Sequence, residues 1–110
     1  KMNDVNRRNF FAELIGTFIF VGTIITVINT DESTMNFLKI GLALMVSIIF
    51  LGPISGGAFN PVVSMMLFIN NKIDFNRMCS QILGQFVGLL VAVTVYTNLT
   101  SKGKVEAVQK

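Results

Sequence analysis

The chain has no histidine, no tryptophan, one cysteine and two prolines, and only 14% of its 110 residues are charged. Without histidine, and with Cys79 alone, neither a metal-ligand cluster nor a disulfide framework is expected. Cys79 stands near the start of an apolar run, where a small buried hydrophobe is the simplest role. A soluble domain carries roughly 25% charged residues, so this chain has too few to cover a surface facing water. With 52% hydrophobic residues, it falls in the membrane class, and the lipid bilayer is its first partner. There is no nucleophile–base pair and no phosphate-binding loop, so no catalytic residue, metal or cofactor is expected. The net charge of +3 is not a nucleic-acid footprint, because the basic residues sit at the ends and in the loops. Lys1, Arg7 and Arg8 precede the first apolar run, Lys72 and Arg77 flank a later one, and Lys102, Lys104 and Lys110 lie in the tail. Such flanks fit anchors at headgroup level.

The first apolar run covers residues 10–28, interrupted by Glu13 and by small or weakly polar residues. A span needs about 20 residues, which this run supplies. Arg7 and Arg8 resemble the charged leader of a signal peptide, but Glu13 within the run and the lack of a small-residue cleavage site after it favour a retained helix. A polar, acidic loop follows, in which Asp31 or Ser33 could cap the next helix. The second run, residues 35–51, carries Lys39 near its start, where a long side chain can snorkel, and stops at Gly52-Pro53. After a glycine-rich loop comes Pro61–Ile69, which at 1.5 Å per residue makes roughly 13 Å, under half of a ~30 Å hydrocarbon core. It cannot cross; a half-helix that enters and returns is expected. Asn70 to Asp74 turn back to the surface, and residues 77–99 form the last span. Gly84 and Gly88 within it make a G-x-x-x-G pair, which suits close helix contact or reflects the glycine enrichment of membrane helices. The tail from Thr100 is polar, with mobility expected. No internal repeat is evident.

The segment from Gly52 to Ser64 interrupts the membrane-like chain with glycines, a proline and an asparagine. Such a break at membrane depth is costly unless protein or a water-filled cavity surrounds it, and transporters use such breaks to line solute pathways. Asn is a strong N-cap and Pro suits the first helical position, so Asn60-Pro61 reads as the start of the half-helix. That start carries the positive end of a helix dipole. Asn60 can offer its amide N–H groups to water or a hydroxyl while the dipole repels cations and protons. Gly56 and Gly57 permit unusual backbone angles, and carbonyls from Gly52 to Phe59 are candidate lumen acceptors. A capped interfacial hairpin is the plain alternative. Glu13 and Gln81 add weight to the channel reading, because a carboxylate within a span usually faces the bundle interior and needs donors. Holding the loop is the role expected for Glu13, in preference to a proton relay.

Ala12-Glu13-Leu14-Ile15-Gly16-Thr17-Phe18 resembles the first-helix signature of the major intrinsic protein family, the aquaporins and glycerol facilitators. Ile40-Gly41-Leu42-Ala43 resembles the opening of that family's second helix, Ser55-Gly56-Gly57 through Asn60-Pro61 its first signature loop, and Gln81-Ile82-Leu83-Gly84 its third helix. The resemblance covers residues 8–96. It implies an all-α membrane protein: three transmembrane helices plus one re-entrant half-helix, half of an aquaporin-like bundle. It implies passive passage of water or small neutral solutes such as glycerol. Asn60, Pro61, Val62, Ile40 and Ala58 would line the pore, with Ile40 at the outer constriction, and Glu13 and Gln81 would brace the loop.

The sequence departs from the family pattern at three points. Val62 replaces the alanine after Asn-Pro, Ala58 replaces a histidine often found two residues before the asparagine, and only one signature loop is present where a family pore uses two in inverted orientation. These departures support an alternative, a non-conducting structural membrane subunit of a larger assembly. On either reading the loop's polar face needs a cover, so a second half-channel copy (an inverted homo-oligomer) or a membrane assembly is the expected partner. The layout is then a cytosolic segment at residues 1–9, a membrane domain at 10–99 and a tail at 100–110. Arg7, Arg8, Lys72 and Arg77 fall on one side and Asp31 and Glu32 on the other, which places the amino terminus in the cytosol. Asn98-Leu99-Thr100 is a glycosylation sequon on the outer side.

Overall fold

The computed structural model describes residues 2–30 and 35–109, which form four helices. Helix α1, Asp4–Thr30, starts earlier than its apolar run because Asn3 caps it: Asn3 Oδ1 accepts from the Asn6 backbone N–H at 2.8 Å. Asp4 in its first turn suits the positive end of the dipole. Residues 4–9, expected to precede the membrane helix as a separate segment, are therefore its first turns. Asp31 and Ser33, the expected caps of the next helix, lie outside the described residues, as does Glu32.

Helix α2, Asn36–Ser55, follows Met35, which provides no side-chain cap bond. It was expected to stop at Gly52-Pro53, but it runs through both residues to Ser55. Pro53 withholds only one backbone donor from the ladder. The effective stop is Gly56, at φ 91°, whose N–H donates to the Gly52 carbonyl at 2.7 Å. A left-handed glycine after the last turn is a common helix end.

Helix α3 is Pro61–Ile69, with Asn60 as N-cap and Pro61 at its first position. It ends in a left-handed turn at Asn71 (φ 60°), where the Lys72 N–H donates to the Leu67 carbonyl and the Asn71 N–H to that of Phe68. These paired bonds reverse the chain within a few residues. Asp74 then caps α4, Phe75–Gln109, by accepting from the Arg77 N–H at 2.7 Å. Phe68 and Phe75 meet edge to face across the turn, 5.8 Å apart. Cys79, expected to be buried, is exposed on the outward face of α4's second turn. The expected tail from Thr100 is a continuation of α4, so the sequon at Asn98 lies in a helix rather than in a surface loop.

Both α2 and α4 pack on α1, and α3 packs on α4. Gly84 and Gly88 set the α1–α4 approach. A Cβ at Gly84 would fall 2.3 Å from the Phe10 carbonyl oxygen, and one at Gly88 would fall 2.5 Å from that of Leu14. The glycine pair is therefore used inside the chain, where it lets two backbones touch. Three helices, Asp4–Asn29, Asn36–Ser55 and Phe75–Thr100, are long and apolar enough to cross a membrane, and α3 is not among them.

Candidate functional site: a half-helix start held by a buried polar network

Glu13 is fully buried on α1. Four donors converge on its carboxylate. Oε2 accepts from Ser55 Oγ at 2.6 Å and from the Ala58 N–H at 3.2 Å; Oε1 accepts from the Phe59 N–H at 2.7 Å and from Gln85 Nε2 at 2.7 Å. None of the four is a cation. The two backbone donors immediately precede the N-cap of α3, so the carboxylate sits beside the positive end of that helix. Hydrogen bonds to charged groups are shorter and about twice as strong as neutral ones, and here they fix the loop from its inner side.

A second layer completes the arrangement. Gln81 Nε2 donates to the Ser55 carbonyl at 2.8 Å and to Asn9 Oδ1 at 3.1 Å, while its Oε1 accepts from Ser64 Oγ at 2.8 Å. Gln85 Nε2 also donates to Ser64 Oγ at 2.8 Å. Asn9 Oδ1 takes a further bond from Arg77 Nε at 2.9 Å. A continuous chain of hydrogen bonds thus runs from Arg77 through Asn9, Gln81, Ser64 and Gln85 to Glu13. It ties α1, α3, α4 and the end of α2 together. Two buried oxygens, Thr17 Oγ1 and Gln85 Oε1, have no partner among the described residues.

The loop itself is compact. Gly57 and Phe59 have φ of 68° and 50°. A left-handed phenylalanine is uncommon, and it is held by the bond from its own N–H to Glu13 and by its ring, which fills the space over Gly16. A Cβ on Gly16 would lie 2.0 Å from that ring. The acceptor stretch expected from Gly52 to Phe59 is shorter than the sequence suggested. Gly52 to Ser55 are helical, and the Gly52 and Ser55 carbonyls are taken by Gly56 and Gln81.

The residues singled out from the sequence fall in three places. Glu13 and Gln81 are buried at the inner side of the loop, joined by Gln85, Ser55, Ser64 and Asn9, to which sequence reasoning assigned no role. Gln85, not Gln81, bonds Glu13 directly; its position four residues after Gln81, on the same helix face, was the available signal. Asn60 and Val62 are exposed on the loop's open side, Val62 at 70%, with Pro61 half-buried between them. Asn60 Oδ1 accepts from the Val62 N–H at 2.8 Å, which turns its amide donors away from the helix. Ala58 is buried behind the loop. Ile40 is half-buried near the start of α2, roughly 22 Å along the helix axis from Ser55.

A short capped helix whose start is pinned by a carboxylate inside a three-span bundle is one topological unit, and the Major intrinsic protein family model matches it over residues 2–110. The chain belongs to the major intrinsic protein family. It is 38% identical over 96 residues to Glycerol uptake facilitator protein-like 6 of Lactiplantibacillus plantarum, covering 86% of this chain and 44% of that protein. With Aquaporin-5 of Ovis aries it shares 31% identity over 94 residues, 81% of this chain and 36% of the relative. With Aquaporin Z of Photorhabdus laumondii it shares 31% over 96 residues, 80% of this chain and 42% of the relative. The chain therefore spans less than half the length of these curated relatives. No solved structure matches it. As a member of this family with three helices able to cross, it is an integral, multi-pass membrane protein.

Proposed function

We propose that this chain forms half of a channel for passive passage of water or a small neutral solute, and that it does no covalent chemistry. The observation that carries this reading is Asn60. Its oxygen is engaged by the Val62 N–H, and the side chain is exposed at the start of a helix too short to cross. Amide donors held at the positive end of a half-helix suit a hydroxyl or a water and disfavour a cation. Asn60, Pro61, Val62 and, farther along the bundle, Ile40 would line the passage, with Ala58 set back behind the loop. Names of relatives that include a glycerol uptake facilitator and aquaporins support a solute of this class.

The exposed side of the loop needs a cover, because unsatisfied backbone groups in lipid each cost several kcal/mol. A second half supplies it, either as an inverted copy of this chain or as another part of a membrane assembly. Arg7, Arg8, Lys72 and Arg77 at one end of the bundle support a cytosolic amino terminus.

Osmotic shrinkage of liposomes holding the purified chain tests conduction. The expected rate exceeds that of empty liposomes and falls when Asn60→Asp places a charge at the half-helix start. A rate equal to empty liposomes, with insertion verified, favours the second reading, a non-conducting structural subunit. The bulk of exposed Val62 beside Asn60 is the observation on that reading's side. A cysteine at Asn60 that cross-links to a partner in lipid, rather than staying open to lipid-soluble quenchers, is the result expected for a covered face.

A further inference from the structure

Away from the loop, the bundle opens at both ends of the α1–α4 pair. Where the spans finish, a largely apolar groove of about 560 Å³ has Ile19, Gly22, Thr23 and Thr26 of α1 and Lys39 of α2 among its lining. At 3.6 residues per turn, those α1 positions point about 130° around the helix from Glu13, so the groove faces away from the loop. Where the spans begin, a pocket of about 340 Å³ is lined by Met2, Asn3, Asn6, Asn76 and Ser80. All but Met2 are polar, and none is charged.

The glycine contacts explain the second opening. Gly84 and Gly88 bring α4 against α1 at Phe10 and Leu14. One and two turns before Gly84, Ser80 and Asn76 put side chains between the helices, as Asn6 and Asn3 do before Phe10. Asn76 and Ser80 point about 140° around α4 from Gln81 and Gln85, which hold α3 through Ser64. The pocket is thus on the side of α4 away from the half-helix.

Asn6 is only 9% exposed. Its backbone N–H bonds to Asn3, but its side-chain amide bonds nothing among the described residues. Asn9, one turn on, uses both amide atoms, donating to the Val5 carbonyl and accepting from Gln81 and Arg77. A buried amide left without partners is unfavourable, and this one lines the pocket. Asn76 brings a second unbonded amide. Ser80 Oγ, whose hydrogen goes to the Asn76 carbonyl at 3.0 Å, keeps its capacity to accept. Each asparagine offers N–H donors and a carbonyl acceptor side by side. An anion only accepts and would meet the carbonyls; an ammonium only donates and would meet the N–H groups. A hydroxyl does both.

We propose that this pocket binds a short uncharged polyol, with Asn6 as its principal contact and Asn76 and Ser80 holding neighbouring hydroxyls. Its volume is at the small end of ligand sites, which run from about 300 to 1,000 Å³. At the start of two spans, such a polyol comes either free from the aqueous phase or as the glycerol headgroup of phosphatidylglycerol. The site is separate from the passage beside Asn60 and does not depend on conduction.

The full chain, labelled with ¹⁵N-asparagine, is placed in phosphatidylcholine nanodiscs and titrated with glycerol. The side-chain amide signals of Asn6 and Asn76 are expected to shift together along one saturating curve. Asn6→Leu removes a donor and an acceptor but no side-chain bond within the chain. It should raise the half-saturation concentration read at Asn76 about tenfold, and Ser80→Ala should raise it about threefold. The Asn60 signal reports the passage, so a response there that survives Asn6→Leu keeps the two sites distinct. In a second arm, discs containing phosphatidylglycerol replace free glycerol, and a saturating shift there identifies the lipid headgroup as the source. Phosphatidylserine discs, anionic without a polyol, should leave both signals in place, and an equal response to them overturns the proposal. Shifts that do not saturate in either arm, or a curve at Asn76 unchanged by Asn6→Leu and Ser80→Ala, also overturn it and identify a pocket filled by solvent.

Discussion

At the end of the bundle where α2 hands over to α3, Glu13, Gln81, Ser55 and Ser64 are all at most 1% exposed, and hydrogen bonds join them to one another. Two turns farther along α1, the same helices diverge around an apolar groove whose threonine hydroxyls bond back to their own helices. The first region spends polar side chains to hold one non-helical loop in one geometry. The second stays open. Irregular backbone at membrane depth has to be satisfied by specific partners, whereas a regular helix satisfies itself and can leave its sides to lipid. The polar side chains that bond to the non-helical loop therefore mark where the backbone is irregular, which is also where function is expected.

Substitutions in the two regions test that contrast. The largest effect is expected from Gly88→Val or Gly84→Val, because the new side chain meets a backbone carbonyl that cannot move aside. Loss of α1–α4 packing should then remove the folded form in mild detergent, seen as failure to elute as a discrete species. Gly22→Ala, at the groove floor, where 3.9 Å is ordinary contact, should be tolerated.

Next comes Glu13→Ala, which strands four donors. At about 1–3 kcal/mol for each unsatisfied buried group, with partial relaxation, a loss of about 4 kcal/mol is expected in denaturation by SDS from mixed micelles. Glu13→Gln replaces one acceptor oxygen with a donor and should cost about half as much. Equal stability of the alanine variant and the parent would mean that the loop is held by something other than this network.

Asn9→Ala is expected to have a smaller effect. It removes the acceptor shared by Arg77 and Gln81 but leaves Glu13 and its four donors in place. A loss of about 1–2 kcal/mol is expected, with Arg77→Ala smaller because that side chain reaches solvent. Additivity of Asn9→Ala and Glu13→Ala in a double variant would show that the chain of bonds is a row of independent pairs rather than one unit.

The smallest effect belongs to the open region. Thr23→Val replaces a hydroxyl bonded to its own helix with a methyl in an apolar groove, and should change stability by less than about 0.5 kcal/mol. A larger loss would show that the groove face makes polar contacts with another molecule in the membrane.

Much of the loop region is legible in the residues themselves. The short run Pro61–Ile69, its asparagine cap and first-position proline, and a carboxylate stranded in a span are local facts of length and residue type, and the helices obey them. The boundaries are less legible. Hydropathy puts the start of α1 at residue 10, but the Asn3 cap extends it, and a proline that reads as a stop is carried within α2 until Gly56 supplies a left-handed residue. The spacing of Gln85 from Gln81 puts both on one helix face, but which of them reaches Glu13 is not legible until α1 is set against α4. Nor is the use of Gly84 and Gly88, a motif that reads equally as a site of close helix contact or as the glycine enrichment of membrane helices.

By itself the sequence determined three membrane-crossing helices, one helix too short to cross, a break between them and the residue types able to satisfy it. Those follow from burial and backbone hydrogen bonding, which act through spacing along a single helix. Only the tertiary structure decided which oxygen meets which donor: that Glu13 takes Phe59, Ala58, Ser55 and Gln85 together, that Phe59 rests on Gly16, and that the groove at Lys39 faces away from the loop. Each of these depends on the relative rotation of α1, α2 and α4. For α1 and α4 that rotation is set by two glycines whose missing side chains let backbones meet, a fact about the space between helices that no single helix contains.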